Sequence, residues 1–184
     1  MVKTKKRKKK FFDIEIPLIK KQTHLQAYEF NELDGRFIKY DLTRILRGRS
    51  RMIQLKVKVN GDQAVAIPKK IKLMPFFLKR MVRKGTDYVE DSFLAKCKDA
   101  KIKIKPFLVT RRKVSRAVRK ALREKAKEEI INHVKNKNSE ILFDEIIKNS
   151  FQKFLGLKLK KIYPLSLCEI RVLEVEKKKD KIKE

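Results

Sequence analysis

Arg112, Arg116, Arg119, Lys120, Arg123 and Lys127 follow one another at steps of four, three, one, three and four residues. A helix through them carries all six on one face, because side chains three and four apart stack on the same side. Between residues 111 and 127, nine cations, Arg111 among them, meet one acid, Glu124, for a local charge of +8. A solvated helix face normally mixes signs, since like charges at i, i+4 oppose each other by about 0.2–0.5 kcal/mol per pair. A run of this kind fits a polyanion, and guanidinium forks match phosphate oxygens two at a time. The plain alternative is an ordinary basic surface.

Two further clusters have the same character. Arg44, Arg47, Arg49 and Arg51 surround Gly48, where a backbone without a Cβ can approach a phosphate; a soluble connection between strands is the alternative. The first ten residues hold six Lys and Arg7 with no acid, and Lys5, Lys6, Arg7 and Lys8 are its contact candidates. Tyr40, Tyr88 and Tyr163 could stack on unpaired bases, but their positions in strand and helix patterns favour core packing.

Catalytic chemistry is poorly represented. Asp87, Glu90 and Asp91 form a compact acidic group that a metal-dependent nuclease would use, yet ion pairing among so many lysines is the simpler role. His24 and His133 stand apart from any Cys or His at metal spacing, and no phosphate loop, dinucleotide fingerprint or zinc-ribbon spacing is present. Cys97 and Cys168 read as reduced, buried thiols of a cytosolic protein. No metal, cofactor or small-molecule substrate is expected.

The chain has 184 residues, with 51 Lys plus Arg against 22 Asp plus Glu, a net charge of +29. Such a charge opposes the compact state and is relieved by a polyanion. Apolar residues make up 42%, too many for a disordered polycation, and no run of 18 apolar residues predicts a membrane span. A membrane-surface helix would gather its cations opposite an apolar face; here they run along the whole chain, which favours nucleic acid. The length suggests one domain over residues 11–176 between a disordered basic tail, 1–10, and a lysine-rich tail, 177–184. Removing the tails' +7 and +3 leaves +19 on the body (29 − 7 − 3).

The elements that must hold these groups follow from periodicity. Alternation predicts strands over 12–16, ending at Pro17, and over 37–40 after Asp34-Gly35, with a possible strand at 27–30. Residues 52–59 alternate cleanly into Asn60-Gly61, a hairpin turn, and Val65 and Ile67 return before Pro68 ends the partner strand. A short helix is expected over 74–84, with Pro75 in its first turn and Gly85 beyond its end. Strands at 88–97 and 101–110 follow; in the second, Ile102 and Ile104 alternate with Lys101, Lys103 and Lys105, and Pro106 marks an edge or a bulge. The long helix spans 111–136, with Val114, Ala117, Val118, Ala121, Leu122, Ala126, Ile130 and Val134 as its apolar stripe. Helices at 139–148 and 151–161 and a strand at 167–175 complete an α+β chain.

In their order along the chain these motifs resemble the eukaryotic-type S-one family of archaeal and eukaryotic small-subunit ribosomal proteins, also called the S-three-a family. The matching stretches are the basic tail and strand ending at Pro17, Gly35-Arg36-Phe37 leading to Asp41-Leu42, and the hairpin at Asn60-Gly61-Asp62. They continue with Met81-Val82-Arg83-Lys84, the strand and lysine-aspartate turn from Thr86 to Ala100, and Leu108-Val109-Thr110 before the helix carrying Ala117-Val118-Arg119-Lys120. Ile162-Tyr163-Pro164-Leu165, followed by Glu169-Ile170-Arg171, is the most specific. Ala100 stands where the family usually has Gly, and the loop after the hairpin is remodelled.

The resemblance implies an antiparallel β-barrel-like core with packed helices. It implies a non-catalytic component of the cytoplasmic ribosome, on the small-subunit platform near the mRNA exit. Partners would be small-subunit rRNA and neighbouring ribosomal proteins, with Arg36 joining the cationic contact set. A free-standing nucleic-acid-binding protein of chromatin or RNA-chaperone type is the second reading, and an enzyme the third.

Overall fold

The computed structural model describes residues 8–46, 48–61 and 63–176; residues 1–7 of the tail expected at 1–10, and the tail expected at 177–184, lie outside them. The elements are β1 Lys10–Ile16, β2 Lys21–Ala27, a 3-10 turn Phe30–Leu33, β3 Phe37–Asp41, β4 Arg51–Asn60, β5 Gln63–Leu73 and α1 Pro75–Met81. There follow β6 Tyr88–Glu90, β7 Phe93–Lys96, β8 Lys101–Thr110, α2 Arg116–Lys135, α3 Ser139–Lys148, α4 Ser150–Leu159 and β9 Leu165–Val175. The class is α+β. The chain divides into two compact units, Met1–Tyr40 with Gln54–Lys69, and Asp41–Ile53 with Lys70–Glu184.

In the first unit β1 and β2 pair antiparallel from Lys10–Ala27 to Ile16–Lys21, and β1 meets β5 at Glu15–Val65. β2 lies at 21–27 rather than 27–30. Its polar alternation, Gln22, His24 and Gln26 against Thr23, Leu25 and Ala27, gives only a weak period. The expected Asn60-Gly61 turn joins β4 to β5, with Gly61 at φ +59°. Ile14, Ile16, Leu33, Leu55, Val57 and Ala66 are buried. β5 continues through Pro68, which is itself buried, to Leu73.

In the second unit the hydrogen-bonded order is β5-β9-β8, with β6 and β7 both pairing β8 on its other side. No strand pairing among the described residues closes this order, so the expected barrel gives way to an open sheet. The register sets Phe93, Ile104, Leu173 and Ile71 side by side across β7, β8, β9 and β5, and all four are buried. α2 packs on β6 and β7, and α3 and α4 on β9. The single strand expected at 88–97 is broken at Asp91-Ser92. The break lies opposite Pro106, where β8 also slips register against β9 between Lys105 and Pro106. Pro106 has no N–H to donate, and around it pairing breaks on the β6–β7 side and slips register on the β9 side. It marks a bulge in a central strand.

α3 is capped from outside its own chain neighbourhood. Asn138, its N-cap residue, makes no side-chain cap bond; instead the Asp99 carboxylate in the β7–β8 turn accepts from the Ser139 amide at 3.0 and 3.1 Å and from the Ser139 hydroxyl. Burial pushes the Asp99 carboxyl up, but the Ser139 hydrogen bonds outweigh it and hold the group below the usual carboxylate value. At the far junction His133 Nε2 lies 2.8 Å from Glu145 Oε2, and Lys137 also pairs with Glu145. Burial raises the Glu145 carboxyl, and Lys137 and His133 more than offset that.

The one ion pair that is fully inside, among the described residues, lies in this unit. Arg51, 1% exposed, binds Glu169, 3% exposed, and donates through Nη1 to the Ile146 carbonyl at 3.1 Å. Gln152 Nε2 donates to the same carbonyl at 3.2 Å. Desolvation pulls the guanidinium below its ordinary value, while Glu169 opposes the shift.

Arg51→Leu is therefore expected to destabilise by about 3–5 kcal/mol, because Glu169 becomes a buried unpaired charge. Arg51→Met with Glu169→Leu is expected to recover most of that in denaturant melts. Asp99 and Glu145 contribute stability that is present above their unfolded values of about 3.9 and 4.3 and is lost as pH falls through their lower folded values. A melting-temperature titration from neutral to acid pH should show that loss, and Asp99→Asn should remove Asp99's share of the slope.

Candidate nucleic-acid interface

α2 begins at Arg116, after Ser115, whose hydroxyl accepts from the Val118 amide at 3.4 Å. Arg111, Arg112 and Lys113 thus precede the helix, in an exposed loop, instead of forming its first turn. Thr110, fully buried, pins that loop: its hydroxyl accepts from the Asp87 amide at 3.0 Å and reaches the carbonyls of Asp87 and Arg112 at 2.9 and 2.7 Å. The Asp87 carboxylate accepts from the Val114 amide at 2.9 Å. Asp87 is thus an anchor for the basic loop. Glu90 pairs with Arg171 at 2.7 Å, and Asp91 accepts from the Ser92 amide. No group of three or more His, Cys, Asp or Glu that could hold a metal occurs among the described residues.

Leu122, Ala126, Ile130 and Val134 are the buried stripe of α2. Val118 and Ala121 are half-buried, and Ala117, expected in the stripe, is exposed. Arg116, Lys120, Arg123 and Lys127 are exposed, and the first turn holds no acid. The helix N-terminus carries a partial positive charge, so these cations and the loop before them reinforce one positive field that suits phosphate oxygens. Lys120 approaches Glu124 only at 3.9 Å, and Lys127 Nζ stands 5.9 Å from the Phe93 ring centre.

Arg119 differs from its neighbours. It is half-buried, and its Nε is enclosed without a hydrogen-bond partner, because position 119 sits beside Leu122 and Ala126 on the helix surface. Arg51 departs furthest from expectation: its side chain is an internal partner of Glu169, so it leaves the contact set. Arg49 is half-buried and close enough to Arg51 to repel it; Arg44 is exposed; Arg47 lies outside the described residues, as do Lys5, Lys6 and Arg7. Gly48 has φ +86° and open space where a Cβ would stand, so it serves the turn's backbone. Lys8 is exposed. Arg36 donates to the Gln26 carbonyl at 3.0 Å and to Glu32 at 3.5 Å, which spends much of its fork inside the protein.

Tyr88 is 53% exposed, its ring stacked on buried Phe107 at 5.9 Å, while Tyr40 and Tyr163 are half-buried. His24 pairs with Asp13. Both cysteines are free and half-buried; burial, helped by Asp99, pushes Cys97 up to about 11, and burial with Glu169 pushes Cys168 up to about 12.

Sequence reasoning gives too little weight to the lysines of the sheet. The signal is present in Lys101, Lys103 and Lys105, but their cross-strand neighbours Lys70, Lys72 and Lys96 are supplied only by the register.

Three α2 variants separate packing from charge in thermal melts. Leu122→Ala, at a fully buried position, is expected to cost about 2–5 kcal/mol. Arg116→Glu with Arg123→Glu is expected to stay within about 1 kcal/mol, since exposed charges matter little to folding. Arg119→Glu is expected to cost more than that pair, because its half-buried site would exchange a long stem for a carboxylate without a partner.

Residues 1–179 match the model of the ribosomal S3Ae family. Curated relatives carry the name small ribosomal subunit protein eS1. The chain is 26% identical to that of Nanoarchaeum equitans over 179 residues, covering 92% of this chain and 90% of the relative. It is 28% identical to that of Halorubrum lacusprofundi over 119 residues, 64% of this chain and 55% of the relative. With that of Pyrobaculum arsenaticum it shares 24% identity over 140 residues, 75% of this chain and 64% of the relative.

Proposed function

The chain belongs to the ribosomal S3Ae family, and on that premise we propose that its exposed cations hold small-subunit rRNA in the platform region near the mRNA exit. It is a structural protein of the small ribosomal subunit, in keeping with its family and with the shared name of its relatives. Its partners are rRNA and other ribosomal proteins, and its place is the ribosome. A free-standing nucleic-acid-binding protein is not favoured, because the family match runs through residues 1–179 rather than through one basic segment.

The observation that carries the rRNA reading is the division of labour in α2. Its apolar residues go inward, and the cations at 111–113, 116, 120, 123 and 127 remain exposed without an acid in the first turn. Phosphate contact explains a charge run that folding alone opposes. Arg forks and lysine ammonium groups gain from releasing counterions condensed on the RNA. The contact set is Arg111, Arg112, Arg116, Lys120 and Arg123, with Lys8 and Arg49 as further exposed or half-exposed cations; Arg119 acts from the margin.

Each neutralised phosphate contributes about −0.9 to the log–log salt slope on duplex and about −0.7 on single strands. The slope for binding to small-subunit rRNA fragments is expected to be steeper than about −4. A slope near −1 would contradict a backbone-dominated interface. Tagged protein expressed in a host cell should sediment with small subunits in a ribosome profile, and failure to do so would sink the ribosomal placement.

A further inference from the structure

We propose that the second unit holds two separate RNA segments at once, one on α2 and one on the opposite, solvent-facing side of its sheet. The inference rests on the rRNA-binding reading and adds to it a second contact surface and a bridging role.

The register of the sheet carries the argument. Lys70, Glu174, Lys103 and Leu94 form one row across β5, β9, β8 and β7. Lys72, Val172 and Lys105 form the next row, and Lys101 faces Lys96 directly in a third. Side chains alternate sides along a strand, so these rows share the face opposite the buried row of Phe93, Ile104, Leu173 and Ile71. α2 packs on the buried side, where Lys127 meets Phe93. The lysines of the outer rows are accessible: Lys72, Lys96 and Lys101 are exposed, Lys70, Lys103 and Lys105 half-exposed, and Leu94 is 53% exposed, while Val172 between Lys72 and Lys105 is buried.

Three rows thus present six lysines and two acids, Glu174, which pairs with Lys70 at 2.9 Å, and exposed Glu176, whose amide donates to the Lys101 carbonyl at 2.9 Å. Like charges directly opposite on neighbouring strands, as in Lys96 and Lys101, destabilise a sheet. Strands lie about 4.8 Å apart and rows about 6.7 Å apart, so Lys70, Lys72, Lys103 and Lys105 mark a plaque of roughly 7 by 10 Å. That is a dense, flat array of point charges with a single exposed apolar side chain. Protein interfaces are depleted of lysine and enriched in aromatics. A phosphate backbone gains from each lysine by counterion release. RNA therefore fits this face better than an acidic protein does. Helices and sheet stand between the two basic surfaces, so one RNA strand on α2 leaves the lysine plaque free for another.

The test uses the full chain and two short RNA duplexes of unrelated sequence, one labelled with a donor fluorophore and one with an acceptor. The wild type is expected to bind two duplexes and give energy transfer that vanishes when the protein is in large excess over RNA. Lys72→Glu with Lys105→Glu should bind one duplex, lose the transfer and reduce the salt slope by about 1.4–1.8. Arg116→Glu with Arg123→Glu should also bind one and lose the transfer. Melting curves, with Lys72→Gln and Lys105→Gln as a milder pair, establish that each variant is folded. Unchanged stoichiometry and transfer in the folded sheet variant would overturn the inference while leaving RNA binding through α2 intact. Unchanged RNA stoichiometry with lost binding to polyglutamate would assign the face to an acidic protein instead. A wild type that binds no RNA would overturn both this inference and the function it rests on.

Discussion

Arg51 is a permanent positive charge held where there is no water to solvate it. Everything around it is arranged to make that tolerable. It opens β4, its carboxylate partner comes from β9, and its second hydrogen bond reaches the last turns of α3 at the Ile146 carbonyl, which Gln152 of α4 also contacts. Four elements from three separate stretches of the sequence thus meet around one guanidinium. The pair is not a source of large net stability, because desolvation offsets most of the Coulombic gain. What it does supply is discrimination: any packing of β4, β9 and α3 that separates the partners leaves a bare charge inside. The Nε of Arg51 and the Oε1 of Gln152 remain enclosed without partners, so this polar cluster has little tolerance for a shift.

Against that single buried pair, the remaining charge of the second unit is directed outward. The alternation of β8 and the stripe of α2 do the sorting by elementary geometry: Ile102, Ile104, Leu122 and Ala126 turn in, and Lys103, Lys105, Arg123 and Lys127 turn out. Acids are used sparingly and locally. Asp87 anchors the loop before α2, Asp99 caps α3, Glu145 joins α2 to α3, and Glu90 holds Arg171. Each neutralises a backbone amide or a nearby cation, and the basic surfaces, where Glu174 meets Lys70 and Glu124 approaches Lys120, keep a large positive excess.

Much of this is legible in the order of residues alone. Periodicity locates the Asn60-Gly61 hairpin, α3 and the final strand within one or two residues, and the apolar stripe of α2 from Leu122 onward. It fails where a residue's role is settled by something far off in sequence. Pro68 lies inside a strand rather than at its end, and Pro106 marks a break in pairing on one side of a central strand and a register slip on the other. Arg112 has helical spacing relative to Arg116, yet Asp87 and Thr110 hold it and Arg111 in a loop. Arg51 resembles its neighbours Arg47 and Arg49, because nothing local distinguishes an arginine awaiting phosphate from one awaiting Glu169, 118 positions later. The lysine rows are half visible, since alternation gives the face and only register gives the neighbours. Gly156 weakens the helical pattern around it, yet α4 runs through it.

The arrangement makes stability conditional on the partner. Rows of like charge on a sheet and a cationic first turn on α2 raise the energy of the free folded chain. The buried apolar row must hold the fold against that repulsion. A polyanion binding the native state stabilises it by RT ln(1 + [L]/Kd), and it does so by removing the very repulsion that opposes compaction. The unfolded chain carries the same charges spread over a longer contour, where they repel less and bind phosphate with less cooperativity. Folding is therefore what concentrates the cations into surfaces, and RNA is what relieves the resulting strain. For a structural protein of an RNA assembly, that coupling ties the maintenance of its native state to its place in the particle.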